Sequence, residues 1–238
     1  NNNVTKTKKF ILNIKKHKIK NFIFLSSSNV YTEKKKSVKF SENDSTNPKN
    51  FYGKTKINIE KFLLKDKKNF NNLVILRLFN IIGLTKNFKP KNFQNFKNQR
   101  LLFKLFRCIK KKLSINIRYI YKRSNKFTFP SRDFLDIRDF LHLVEKIIKF
   151  SKKKKVNDVY NVGSGKSISL WEVIRNIRKN DYKNLKIKFS KMPKKEYKDT
   201  YSSVKKITHL LNFGKISVIF FLPSLDHSSK FPLYFFFQ

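Results

Sequence analysis

The sequence predicts an α/β fold built on parallel strands, and three observations carry this. Two short apolar runs, Asn21–Leu25 and Leu73–Leu76, each follow a segment with helical apolar spacing. The resulting order of helix, strand, helix, strand needs crossover connections, and hence parallel pairing. Polar residues then follow each run, Ser26 to Ser28 after the first and Asn80 after the second. Ligands of such sheets collect beyond the carboxyl ends of the strands.

The elements follow in order. Val4 to His17 sets Phe10, Ile11 and Ile14 among lysines, which reads as a helix with one buried stripe. Asn21–Leu25 reads as a buried strand with a polar loop at its carboxyl end. Val38 to Asn50 is polar, and Asn47-Pro48 marks a turn. From Phe51 to Leu64, Ile57, Ile59, Phe62, Leu63 and Leu64 predict a helix with Lys56 and Glu60 on one face. Leu73–Leu76 is a second buried strand, leading into Arg77-Leu78-Phe79-Asn80-Ile81-Ile82-Gly83. Thr85 to Thr128 is rich in lysine and weakly patterned, with room for a helix over Leu101–Ile109 and a strand over Ile117–Ile120. Phe134–Phe150 is read as a helix whose first turn is served by Asp136 and Asp139. Val159–Val162 is a short strand, followed by Gly163-Ser164-Gly165. Ser169 with Glu172 three residues on forms a capping box ahead of a helix. Val218 to Gln238 is aromatic and unpatterned, and no fold role is assigned to it.

Composition bounds the function. The chain of 238 residues is long enough for one sizeable domain, and 39% hydrophobic residues suffice for a core. The formal charge of +41 has two readings. One is an anionic partner such as nucleic acid or a membrane surface. The other is a coding background rich in Lys, Asn, Ile and Phe. Lysine is spread along the whole length rather than gathered in a patch, which favours the second reading and no specific nucleic-acid partner. The single cysteine, Cys108, excludes an intrachain disulfide framework and a thiolate metal cluster. His17, His142, His209 and His227 lack ligand spacing, so no metal site is expected. No apolar run reaches the ~20 residues of a membrane helix, and no signal peptide is expected. The expected location is cytoplasmic. The chain starts Asn1-Asn2-Asn3 and its one methionine is Met192, consistent with a fragment.

Chemistry concentrates in two segments. Ser26-Ser27-Ser28-Asn29-Val30-Tyr31 follows the first strand, and Tyr52-Gly53-Lys54-Thr55-Lys56 opens the second helix. Together they hold a hydroxyl, a phenol and an ammonium, the groups needed to take a proton from an alcohol during hydride transfer. Tyr52 and Lys56 lie four residues apart, on one helix face. A free phenol titrates near 10, so a base working near 7 needs roughly 4 kcal/mol of differential stabilisation. An adjacent ammonium favours the phenolate. Tyr-x-x-x-Lys alone is common in a lysine-rich chain; the serine triplet after one strand and Asn80 after the next are what raise it to a site.

Five segments, in order, resemble the extended short-chain dehydrogenase/reductase family, the NAD-dependent epimerases and dehydratases of nucleotide sugars. They are Phe24 to Tyr31, Asn47-Pro48 with Tyr52 to Lys56, Arg77 to Gly83, Arg132 to Asp139, and Tyr160 to Gly165 with Ser169-Leu170. The likeness runs from about residue 3 to 212. It implies an incomplete Rossmann-like parallel sheet with helices on both faces, plus a small carboxy-terminal substrate-binding region. Residues 1–85 would be the carboxy-terminal half of the cofactor domain. Residues 86–217 would be a mixed region with substrate elements and returning strands, and 218–238 an unassigned tail. The resemblance implies NAD as cofactor, with NADP open, and a nucleotide-diphosphate sugar as substrate. It makes Tyr52 the catalytic base, Lys56 its pKa-lowering partner and ribose ligand, and Ser27 the contact to the reacting sugar oxygen. Ser26 and Asn80 fall on the cofactor side, Asn80 at the substrate junction, and Arg132 on the substrate diphosphate. Without the resemblance, Arg132 reads as an ion pair with Asp133 or Asp136. A homodimer through the helix after Tyr52 is also implied.

The departures bear on activity. No glycine-rich phosphate loop precedes the serine strand, so the grip on a dinucleotide pyrophosphate is missing. Thr32 stands where the family has glycine, and Lys194-Lys195 where it has a second phosphate-binding arginine. Ser28 and Asn29 offer no acid for water elimination, which favours a 4-epimerase or a 4-keto reductase over a dehydratase. The chain is expected to be inactive alone. The rival reading is a non-catalytic basic remnant that binds polyanions.

Overall fold

The computed structural model describes residues 2–34, 38–82, 108, 113–124, 126–180, 186–194 and 196–212. Helix α1 spans Asn2–Lys16 and strand β1 Asn21–Ser27. A 3-10 turn at Ser28–Val30 leads towards α2, Phe51–Lys65. Strands β2 (Asn72–Leu78) and β3 (Asn80–Ile82) follow. The weakly patterned middle contains β4 (Ile115–Tyr119), β5 (Tyr121–Arg123) and β6 (Lys126–Thr128). Short strands β7 (Ser131–Arg132) and β8 (Phe134–Asp136) precede α3, Ile137–Ser151. Then come β9 (Asn157–Val162), β10 (Ile168–Ser169), α4 (Leu170–Asn180), β11 (Ile187–Lys191), β12 (Asp199–Thr200) and α5 (Lys205–Leu211).

The central sheet runs β1-β2-β9, all parallel, as the element order requires. Every residue of β2 is buried, because β2 is the middle strand. Helices cover both faces. On one, Ile11 of α1 and Ile59 and Leu63 of α2 meet Phe24, Leu73 and Ile75. On the other, Phe140, Leu143 and Ile147 of α3, with Ile207 of α5, meet Val74, Leu76 and Tyr160. A smaller unit pairs β4 with β11 and β10-β7-β12, around Ile115, Ile117, Val173 and Ile174. The α/β fold with helices on both faces is therefore what forms.

Four expectations need correction or placement. Phe134–Asp136 is strand, pairing with Asn80–Ile82, and the helix begins only at Ile137. Asp136 caps it by accepting from the Arg138 N–H at 2.8 Å, so the acidic residue closes the helix from outside. In α1, Ile11 and Ile14 are buried but Phe10 faces outward. The first strand is not buried throughout: among the described residues β1 is an edge strand, and its Leu25 is 42% exposed. Leu101–Ile109, Cys108 apart, and the tail beyond 212 lie outside the described residues.

Candidate active site

The site forms where β1 ends and α2 begins. Asn50 caps α2, its side chain accepting from the Gly53 N–H at 2.8 Å. A Cβ on Gly53 would lie 2.1 Å from the Asn29 carbonyl oxygen and 2.6 Å from Pro48 Cβ. Glycine here lets α2 press its first turn against the backbone just after Ser27, which brings Tyr52 to the end of β1. Ser27 is buried, and its hydroxyl accepts from the Asn29 N–H at 3.3 Å.

Lys56 sits one turn along. Its ammonium lies 5.6 Å from the Tyr52 ring centroid and 5.1 Å from that of Phe24. It donates to the Leu25 carbonyl at 2.7 Å, which leaves further N–H groups for a ligand. Burial pulls its pKa below the ordinary lysine value, against the charge of Glu60. The expected side-by-side Lys56 and Glu60 part company: Glu60 turns fully inward and its ion pair is with Arg77, at 2.8 Å.

That pair anchors a buried polar chain which sequence reasoning missed. Glu60 accepts from Arg77 Nε and Nη2 and from the Ser26 hydroxyl. Arg77 Nη1 donates to the Glu42 carbonyl at 3.0 Å, and its guanidinium stacks 4.9 Å from the Tyr31 ring centroid. Burial opposes the Arg77 charge, but the bonds and charge of Glu60 outweigh it and hold the pKa above the ordinary arginine value. Tyr31 donates to Asn161 Oδ1 at 2.6 Å. Burial pushes the Tyr31 phenol up to about 12, so it remains neutral and is no second base. An arginine inside the apolar run Leu73–Phe79 was the available signal, since a buried charge demands a partner.

The structure sets Lys56 beside the Tyr52 ring and on the carbonyl of Leu25, two residues before Ser27, and spends Ser26 on Glu60. Asn80 donates from its backbone N–H and its Nδ2 to the Asp133 carbonyl, both at 3.0 Å. Asp133 is fully buried and accepts from the Ser164 N–H and hydroxyl, the Gly165 N–H, and the Ser202 N–H and hydroxyl. So Gly163 to Gly165 is a turn clamped on a carboxylate, and Gly165 adopts φ +72° there. Arg132 pairs with neither Asp133 nor Asp136. Its guanidinium donates to the carbonyls of Ser131, Lys198 and Tyr197 at 2.7, 2.9 and 2.8 Å. Burial pulls its pKa down to about 10, against Asp199 and Glu33, so it stays charged near neutrality. Thr32, at the family's glycine position, takes the Asn47 N–H on its hydroxyl at 3.0 Å and is not among the positive-φ residues.

Residues 1–163 match the model of the NAD dependent epimerase/dehydratase family. The chain belongs to this family. It is 29% identical over 204 residues to UDP-arabinose 4-epimerase 1 of Arabidopsis thaliana, covering 83% of this chain and 48% of that protein. It is 28% identical over 200 residues to the uncharacterized UDP-glucose epimerase YtcB of Bacillus subtilis, covering 84% and 57%. The chain spans about half the length of the curated relatives it matches. The UDP-glucuronic acid 4-epimerase of Bacillus cereus, solved with UDP-glucuronic acid and NAD, superposes with TM-score 0.74 at 25% identity, covering 90% of this chain and 62% of that one. The UDP-glucose-4-epimerase of Stenotrophomonas maltophila shares the fold, with TM-score 0.79 at 16% identity over 90% and 64% of the two chains.

The family's cofactor can be tested against the residues present. At the nicotinamide end they fit: a partly desolvated ammonium with spare donors lies beside a phenol and on a carbonyl near the end of a parallel strand. At the pyrophosphate end they do not. The first glycine of the chain is Gly53, and the remaining four are Gly83, Gly163, Gly165 and Gly214, so no glycine-rich loop lies before β1.

Proposed function

We propose that this chain carries the proton-transfer and sugar-binding part of a nucleotide-sugar 4-epimerase. The observation that carries it is the Lys56 ammonium, 5.6 Å from the Tyr52 ring and bonded to the Leu25 carbonyl near the end of the strand that Ser27 closes. Tyr52 Oη takes the proton of a sugar hydroxyl and later returns it. Ser27 Oγ holds the same sugar oxygen in line. Lys56 stabilises the phenolate through its charge, strengthened by its partial burial. Arg132, charged and bonded to carbonyls rather than a carboxylate, faces the substrate diphosphate. A nicotinamide bound beside these groups would supply the hydride acceptor. The chain's own residues do not hold the pyrophosphate of that cofactor, so turnover requires a further polypeptide segment. Helix α2, which carries Tyr52 in its first turn, is the expected homodimer contact.

The test has two arms. UDP and UDP-glucose are titrated calorimetrically against the chain, with Arg132→Met as comparison; equal binding by both proteins would remove Arg132 from the substrate site. The B. cereus cofactor segment is then fused ahead of α1, and epimerisation of UDP-glucose, UDP-arabinose and UDP-glucuronic acid is followed. Turnover that survives Tyr52→Phe would overturn the assignment of the base. Turnover by the unfused chain would overturn the need for an added segment.

A further inference from the structure

Tyr197 joins separate parts of the molecule through one hydroxyl and one carbonyl. It is buried, in the stretch that leads from β11 to β12. Its hydroxyl lies 3.0 Å from the Tyr31 carbonyl oxygen and 3.2 Å from that of Asn29, and its proton serves this pair. The same oxygen accepts from the Lys49 N–H at 3.0 Å. The main-chain carbonyl of Tyr197 accepts from Arg132 Nη2 at 2.8 Å. Burial, aided by the charge of Glu33, outweighs the Lys49 bond and holds the phenol above the ordinary tyrosine value, so it remains a donor near neutrality.

These partners bracket the candidate base. Asn29 and Tyr31 belong to the turn that leaves β1 after Ser27. Lys49 immediately precedes Asn50, the cap of α2, and so sits just ahead of Tyr52. The Asn29 carbonyl is also the group on which the first turn of α2 presses at Gly53. On the other side, Arg132 is fixed to the Tyr197 segment twice. Its guanidinium bonds the carbonyls of Tyr197 and Lys198, and Ser131–Arg132 pairs with Asp199–Thr200. Glu33 adds an outer tie between the same segments, accepting from the Lys198 N–H at 2.8 Å and pairing with the Lys49 ammonium. Phenylalanine would fill the space of the Tyr197 ring as well. What the hydroxyl adds is a fixed span from Arg132 to the start of α2.

We propose that Tyr197 is a positioning residue: its hydroxyl sets the distance between Arg132, on the substrate diphosphate, and Tyr52, on the reacting sugar hydroxyl. The proposal rests on the roles given to those two residues above. A nucleotide sugar is anchored at its diphosphate and reacts on its sugar ring, so the rate depends on the span between anchor and base. An error of about 1 Å at the reacting atoms costs on the order of a hundredfold. Arg132 and Tyr52 stand on elements far apart in the chain, β7 and α2, and Tyr197 bonds to both sides. In this role Tyr197 touches neither sugar nor diphosphate; it acts through the main chain on either side of it.

The test uses the whole chain with the manganese(II) complex of UDP, whose paramagnetic ion rides on the diphosphate. Broadening of the Tyr52 ring resonance by that ion falls steeply with distance and reports the span directly. Tyr197→Phe should leave the calorimetric affinity for UDP unchanged, because the carbonyl that Arg132 uses is kept. It should alter the broadening at Tyr52 and speed amide exchange at Lys49 about tenfold or more, through loss of its hydrogen-bond partner. In the fused enzyme described above, kcat for UDP-glucose should fall about tenfold or more with KM unchanged. With Arg132→Met already present, the further loss should be less than about threefold, since an unanchored substrate has no fixed span to lose. Unaltered Tyr52 broadening in UDP-bound Tyr197→Phe, or additive losses in the double variant, overturns the proposal and leaves Tyr197 a structural residue. If Tyr197→Phe folds poorly, the parent decides: fast exchange of the Lys49 amide overturns the tie. UDP binding that is absent, or undiminished by Arg132→Met, overturns the reading of Arg132 and the proposal with it. Normal UDP binding with an unmoved Tyr52 span overturns the positioning role alone.

Discussion

Gly53→Ala sets two effects of opposite sign against each other. Alanine is the better helix former, and the exchange usually gains about 0.5–1 kcal/mol inside a helix. Here the new Cβ meets the Asn29 carbonyl oxygen at 2.1 Å, its carbon at 2.9 Å and Pro48 Cβ at 2.6 Å. Ordinary contacts lie at about 3.5–4 Å, so a gap of more than about 1 Å must open. Two of the three obstructing atoms are backbone, and the third belongs to a proline ring, so no flexible side chain can yield. Overpacking of this kind costs about 1–3 kcal/mol. The clash should win, with a net loss of roughly 1–2 kcal/mol. At a urea slope of about 2 kcal/mol/M, the unfolding midpoint should fall by roughly 0.5–1 M. The assay is urea unfolding followed by circular dichroism at 222 nm. A midpoint equal to or above that of the parent would refute the close approach of α2 to the turn after Ser27. In a completed enzyme the same displacement of Tyr52 should cost on the order of a hundredfold in turnover.

Four further outcomes are expected. Glu60→Ala strands the buried Arg77 charge and should cost about 3–5 kcal/mol, while the double change Glu60→Met with Arg77→Met should recover most of it, read from thermal melts. Asp133→Ala orphans the buried donors of Ser164, Gly165 and Ser202 and should cost roughly 3 kcal/mol or more, with loss of structure around Arg132 visible in amide spectra. Tyr31 and Tyr160 are both pushed up to about 12 by burial. The unfolded chain releases those protons near pH 10, so between about 10 and 12 it binds fewer protons than the folded chain and stability falls as pH rises. Tyr31→Phe should make that fall shallower in urea titrations across this range. Lys56→Met should leave stability unchanged or raise it, because it removes a partly desolvated charge.

Much of the fold was legible because it rests on local signals. The helices at Val4 and Phe51 and the two parallel strands are set by apolar spacing and appear within one or two residues of their expected bounds at most ends. The Phe134 segment misled because its strand is three residues long and runs directly into a helix with the same apolar density. Its strand character comes from pairing with Asn80–Ile82, more than fifty residues away, which no local pattern records. Ser27, Tyr52 and Lys56 were legible as a spacing. The partners of Arg132 were not, because three backbone carbonyls leave no trace in a side-chain pattern. Nor was the destination of Glu60, which four-residue spacing assigns to Lys56 and the fold gives to Arg77.

The division of labour among these residues separates a catalytic reading from a merely inherited one. Ser26, Glu60, Arg77, Tyr31, Asn161 and Asp133 are bonded into the interior, where they serve the fold whether or not the chain turns over substrate. Their presence speaks for the fold alone. Lys56 and Arg132 are different. Each holds a charge in a desolvated place without a carboxylate bonded to it among the described residues, which stability by itself does not favour. If Lys56→Met stabilises the chain, the ammonium is kept at a cost to the fold, the pattern of a functional residue. If Lys56→Met instead lowers stability by more than about 1 kcal/mol, the hydrogen bond to Leu25 is its main task, and the likeness of Tyr52 and Lys56 to a working pair is structural inheritance.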